Sequence, residues 1–119
     1  LDALREMAAM RAEGALHHIG ATNFDTDHLR VALKHGLPIA TNQLSFSLLD
    51  RRAAGRMSDL CHANSVKLLA YGTLAGGFLS ERWLGREEPA ESDIADWSKM
   101  KYRRFIAAAG GWGPFQRLL

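Results

Sequence analysis

Lys67-Leu68-Leu69-Ala70-Tyr71-Gly72-Thr73-Leu74-Ala75-Gly76-Gly77-Phe78-Leu79-Ser80 is the stretch on which the fold turns. With Val66 in front, its first half is apolar almost throughout, too short for a typical helix and stopped by Gly72. That pattern predicts a strand over residues 66–71 buried on both faces. Gly76 and Gly77 follow within six residues. Glycines let a backbone approach a ligand closely, and successive N–H groups at the end of a buried strand form a receptor for a phosphate. The segment therefore predicts a site for an anionic cofactor, although a strand that simply ends in a glycine-rich turn has the same look.

Upstream, residues 1–13 carry Leu1, Leu4, Ala8 and Arg11 at helical spacing, with Gly14 as a C-terminal cap. Ala15 to Gly20 predict a short strand, closed by the turn cluster Ala21-Thr22-Asn23-Phe24-Asp25. Asp25 or Thr26 caps a helix over residues 26–35 that ends at Gly36, and Pro38 prevents its continuation. Ile39-Ala40-Thr41-Asn42-Gln43-Leu44 is the second strand, β-branched at its start and polar at its end. Asp50 is then placed to cap a helix reaching about Asn64, with Met57, Leu60 and Cys61 inward, before the strand at 66–71. Helix and strand alternating about every 25 residues is the signature of parallel, right-handed βαβ connections. The class is α/β.

Downstream the pattern loosens. Residues 81–89 read as a long polar excursion after a strand, the kind of segment that holds ligands. A helix resumes near Asp93 with Ile94, Trp97, Phe105 and Ile106 inward, breaks at Gly110-Gly111, and another begins at Trp112.

Composition bounds the rest. The 119 residues, 47% apolar and 24% charged, suit one domain, and no run approaches the ~18–20 apolar residues of a membrane span. A formal charge of +2 without a basic block points to neither nucleic acid nor a membrane surface. The lone Cys61 cannot form an internal disulfide and reads as a small buried residue beside Met57. The start, without an initiator Met or a signal peptide, reads as a chain cut into, and a cytoplasmic location is expected.

In a parallel α/β sheet or barrel, function collects at the C-terminal ends of the strands. Those ends offer Thr22 and Asn23, then Asn42 and Gln43, then Tyr71 and the turn from Gly72 to Gly77. A hydroxyl and carboxamides can fix a planar amide, and a tyrosine ring can stack on a flat ligand, so together with a phosphate-receiving turn they describe a pocket for a nicotinamide dinucleotide. Each residue has a plainer reading: Asn23 as a turn closer, Tyr71 as core, Arg82 as a solvated charge, His18 as a satisfied structural histidine, and His28, His35 and His62 as helix-surface residues. No Ser/His/Asp set, paired carboxylates or metal spacing emerges.

His18-Ile19-Gly20-Ala21-Thr22-Asn23-Phe24, Asn42-Gln43-Leu44, Ser47-Leu48-Leu49-Asp50-Arg51-Arg52 and Ala70-Tyr71-Gly72-Thr73-Leu74-Ala75-Gly76-Gly77-Phe78-Leu79-Ser80 resemble, in that order and spacing, the aldo-keto reductase family. The resemblance implies a (β/α)₈ TIM barrel that reduces aldehydes or ketones with a nicotinamide cofactor, usually NADPH, with NADH also open. This chain would supply three parallel strands with flanking helices, the fifth to seventh units of the barrel. Carried over, Thr22, Asn23 and Gln43 would hold the nicotinamide carboxamide and Tyr71 would stack on its ring. Gly72, Thr73, Leu74, Gly76 and Gly77 would wrap the pyrophosphate, and Arg82, where the family often has Lys, would neutralise a phosphate. The family's catalytic Asp, Tyr, Lys and His match no position here, so no catalytic residue is assigned. The expectation is one partial domain, residues 1–119, of a reductase of roughly 250 residues or more. Such a chain, acting on a small carbonyl substrate when complete, is expected to be inactive alone and, through its open sheet edges, to self-associate. The alternative is a non-catalytic nucleotide-binding or interaction module of the same fold.

Overall fold

The computed structural model describes residues 1–94 and 96–119, which form two compact units. The first comprises Leu1–Ser45 and Arg52–Tyr71, the second Phe46–Arg51 and Gly72–Leu119. In the first unit, α1 (Asp2–Ala12), β1 (Ile19–Thr22), α2 (Thr26–Lys34), β2 (Ile39–Ser45), α3 (Arg56–Ala63) and β3 (Lys67–Tyr71) alternate along the chain. The strands form one sheet in the order β1-β2-β3, parallel throughout. Helical crossovers after β1 and after β2 return the chain to the same end of the sheet, which is why neighbours run in the same direction.

The sheet has one covered and one open face. Ile19, Ala21, Ile39, Asn42 and Leu44 are buried, together with Leu29 and Ala32 of α2 and Met57 and Cys61 of α3. Thr22, Gln43 and Leu69 are exposed on the other side, along with Gly20, where a Cβ would run into the Thr41 hydroxyl. The strand ending at Tyr71 is therefore not buried on both faces as its sequence predicts: Leu69 is 47% exposed and Ala70 is exposed too. Its composition suits a doubly covered strand, but β3 is an edge strand, paired only with β2 among the described residues.

Several boundaries move for identifiable reasons. β1 begins at Ile19 rather than Ala15 and includes Ala21 and Thr22, because the ladder to β2 runs on to Thr22 opposite Gln43. Asp50 does not cap α3: it is buried in a turn in which the Ser47 hydroxyl accepts from its N–H, and α3 starts six residues later, behind Gly55, whose φ is 75°. α1 has no buried residue despite its apolar stripe. His18 is exposed rather than packed, whereas Cys61 is buried beside Met57, and burial pushes its thiol pKa up.

The second unit has its own core, in which Ala75, Phe78, Ile94, Tyr102, Ile106 and Phe115 are buried. Its helices are α4 (Trp97–Ala108) and α5 (Trp112–Leu118), preceded by short 3₁₀ turns at Ala75–Gly77, Glu81–Trp83 and Glu91–Asp93. The helix expected from Asp93 begins only at Trp97, behind an Asp96 cap; Ala95, within the expected helix, lies outside the described residues. Trp97 is 80% exposed, not inward, because at the first helical position it precedes the turn that carries Tyr102 and Ile106 into the core.

The cap of α2 follows the sequence reading. The Asp25 carboxylate accepts from the N–H groups of Asp27 (3.0 Å) and His28 (2.8 Å) and meets His28 Nδ1 at 2.8 Å. The His28 backbone bond, then its side chain, holds the Asp25 pKa below the ordinary carboxylate value. A lowered folded-state pKa means that this carboxylate stabilises the fold above its unfolded pKa and ceases to do so as pH falls through the folded one. Asp25→Asn, which keeps a capping oxygen but not the charge, should flatten the acid side of the stability–pH curve while largely preserving α2, as read by urea unfolding between pH 6 and pH 2.

Candidate functional site

Three strand ends of the first unit converge where the sequence placed its candidates. Thr22 and Gln43 are register partners, and Ser45 partners Tyr71. The Asn23 N–H donates to the Gln43 carbonyl at 2.7 Å, and the Tyr71 hydroxyl donates to Asn23 Oδ1 at 2.8 Å. Asn23 has φ of 58°, a left-handed conformation that asparagine tolerates better than most residues. Its turn-closing role and its place beside Tyr71 are thus the same fact. Thr22, Asn23 and Gln43 are exposed and Tyr71 is half-buried, so hydroxyl, carboxamide and phenol groups lie together at one end of the sheet.

Asn42 does something else. At 0% exposure it faces the helices, and its amide pairs with the backbone of Phe24: Nδ2 donates to the Phe24 carbonyl at 2.9 Å, and Oδ1 accepts from the Phe24 N–H at 3.3 Å. Met57 Sδ lies 3.8 Å from the same Nδ2. Asn42 is a clamp on the loop that presents Asn23, not a ligand-facing carboxamide. Alternation along β2 separates it from Gln43, since consecutive strand residues take opposite faces. The same alternation returns Ser45 to the face of Gln43, and the Ser45 hydroxyl is buried without a hydrogen-bond partner among the described residues. Its spacing of two from Gln43 was the signal that sequence reading passed over.

In the second unit the glycine turn engages three of its carbonyls from within. Gly72 O accepts from the Ala75 N–H (2.8 Å), Leu74 O from those of Gly77 (2.9 Å) and Leu79 (3.1 Å), and Ala75 O from that of Phe78 (3.2 Å). The exposed Thr73 and Leu74 donate their N–H groups to no acceptor among the described residues. Gly72 and Gly76 have φ of 68° and 63°, and the space a Cβ would need is taken by Tyr102. A Cβ on Gly72 would fall on the Tyr102 hydroxyl and 2.7 Å from its Cζ; one on Gly76 would come 2.8 Å from its Cδ2. Tyr102, 6% exposed on α4, is thus the floor of the turn and the reason for two of its glycines. Arg82 is exposed, its guanidinium carbon 5.6 Å from the centre of the Trp83 ring. Among the described residues no group of His, Cys, Asp and Glu could hold a metal, and no helix is long and apolar enough to cross a membrane.

Two substitutions test this geometry. Asn42→Leu strands the N–H and C=O of Phe24 and should destabilise the chain by about 1–3 kcal/mol in chemical unfolding. Gly72→Ala combines a left-handed β-carbon with overlap on Tyr102 and should cost about 2–4 kcal/mol; a loss under about 1 kcal/mol would show that Tyr102 yields freely.

Residues 1–113 match the Aldo/keto reductase family. The chain is 34% identical over 103 residues to flagellar radial spoke protein 5 of Chlamydomonas reinhardtii, a match covering 85% of this chain and 19% of that protein. It is 34% identical over 71 residues to the NADH-specific methylglyoxal reductase of Escherichia coli K12 (60% of this chain, 22% of that protein). It is also 34% identical over 95 residues to protein tas of the same strain (76% and 28%). The chain spans about a fifth to somewhat over a quarter of these relatives. With the family match running over nearly its whole length and the motif residues gathered at the strand ends, the chain belongs to the aldo/keto reductase family.

Proposed function

We propose that this chain is the cofactor-binding part of an NAD(P)H-dependent oxidoreductase that reduces a small aldehyde or ketone, its sheet forming an arc of a (β/α)₈ barrel. The observation that carries the reading is the joining of Thr22, Asn23, Gln43 and Tyr71, from three strands, through the Thr22–Gln43 rung and the Asn23–Tyr71 hydrogen bond. The residues fit a dinucleotide by their chemistry. Thr22 and the carboxamides of Asn23 and Gln43 match the donors and acceptors of a nicotinamide amide, and the Tyr71 ring supplies a stacking face. The N–H groups of Thr73 and Leu74, which meet no acceptor among the described residues, suit a pyrophosphate, and Arg82 a phosphate. The bound dinucleotide supplies the hydride; this chain binds and orients it, and the proton donor lies in sequence other than these residues.

NADPH is the family's usual cofactor, while the NADH-specific relative supports keeping NADH as the second candidate. A cytoplasmic setting without membrane or nucleic-acid partners is part of the same proposal; among the described residues no helix is long and apolar enough to cross a membrane. A second reading, a nucleotide-binding or assembly module without catalysis, draws on the likeness to a flagellar radial spoke protein.

Carbonyl-dependent oxidation of NADPH and NADH by the natural-length polypeptide separates the two. Turnover is expected there, with Gln43→Leu raising the KM for the dinucleotide about tenfold, the loss of a well-placed polar contact. The 119 residues alone are expected to bind dinucleotide without turnover. Turnover by the 119 residues would overturn the placement of the proton donor elsewhere, and nucleotide binding without turnover by the natural-length protein would favour the module.

A further inference from the structure

We propose that Ser80 and Trp83 are positioning residues that give the glycine turn its anion-receiving polarity, by holding the Gly77 carbonyl between two donors, and that Trp83 also holds Arg82 with its charge free. The inference deepens the cofactor reading above and rests on it. Ser80 Oγ donates to Gly77 O at 2.8 Å and Trp83 Nε1 donates to the same oxygen at 3.0 Å. The carbonyls of Gly72, Leu74 and Ala75 are engaged by backbone N–H groups inside the turn; that of Gly77 is held by side chains. An unheld carbonyl in a turn presents a partial negative charge and leaves its peptide free to rotate, and either change weakens a receptor built from N–H groups. Two donors on Gly77 O suppress both at that peptide, while the N–H groups of Thr73 and Leu74 meet no acceptor among the described residues.

Trp83 is itself fixed. Its ring packs on Phe78 (5.1 Å between centroids) and Trp112 (5.8 Å), and its carbonyl accepts from Gln116 Nε2 at 2.8 Å. The opposite use of the ring is the contact with Arg82. A cation held over an aromatic face keeps its full charge, whereas one paired with a carboxylate does not, so this contact restrains Arg82 without cancelling what a phosphate would meet. One side chain thus removes the negative end of a peptide and steadies a positive group.

The test uses the natural-length polypeptide, with NADPH and NADH titrations and inorganic pyrophosphate as a competitor. Ser80→Ala and Trp83→Phe each remove one donor, and Trp83→Phe keeps a ring for Arg82. Each is expected to weaken dinucleotide and pyrophosphate binding in parallel by about three- to tenfold. The KM for the dinucleotide should rise with kcat nearly unchanged, a split that general loosening of the fold would not produce. Trp83→Leu, which loses the ring as well, is expected to weaken binding further than Trp83→Phe. Folded Ser80→Ala and Trp83→Phe proteins that bind both probes as tightly as the parent would overturn the inference. Where Trp83→Phe melts below the assay temperature, Ser80→Ala, which removes a single hydroxyl, decides. A parent protein that binds neither probe overturns the cofactor reading and this inference with it; a parent that binds while the variants match it overturns only this inference.

Discussion

The parallel ladder is the constraint on which the site depends. Because β1, β2 and β3 run in one direction, their polar C-terminal residues lie at one end of the sheet, and register makes neighbours of Thr22 and Gln43, and of Ser45 and Tyr71. A slip of one residue would send each of these side chains to the helix-covered face and bring Asn42 and Leu44 into the open. Burial resists that slip: Ile19, Ala21, Asn42 and Leu44 are buried, and exposing them would forfeit apolar burial and the amide pair on Phe24.

Adjacent residues on one strand accordingly carry unlike tasks. Asn42 spends its amide on the Phe24 backbone and makes the β1–α2 loop an extension of the core; Gln43, one residue on, remains open to a ligand. The clamp sets the loop that carries Asn23, whose left-handed backbone and bond to Tyr71 finish the strand-end cluster. Asp25 then closes the loop from its other side by capping α2. The Asn42 and Asp25 bonds are made to backbone groups of the loop and helix start that would otherwise be left unpaired.

The second unit solves a different problem, the support of a chain with little side-chain substance of its own. Its glycine turn leans on Tyr102 below, which fills the space that β-carbons would need, and on the aromatic group of Phe78, Trp83, Trp112 and Phe115, whose rings meet at centroid distances of 5.0 to 6.4 Å. Glycine gives access to the backbone, and the aromatic residues restore the rigidity that glycine gives up.

Much of this was legible in the residues themselves. The alternation of helix and strand, the stops at Gly14, Gly36 and Pro38, the Asp25 cap, and the motifs at Thr22-Asn23, Gln43 and Tyr71 to Gly77 follow from local chemistry, because caps, breakers and backbone-permissive residues act within a few positions of where they stand. Tertiary structure decided what depends on partners far along the chain. It turned Asn42 toward the helices, left β3 an exposed edge, set Asp50 in a turn instead of a cap, turned Trp97 outward, and brought Tyr102 under a turn some thirty residues earlier. Periodicity ranks residues by hydrophobicity along one element; it holds no information on which face another element will cover, and that covering chose the role of each of these side chains.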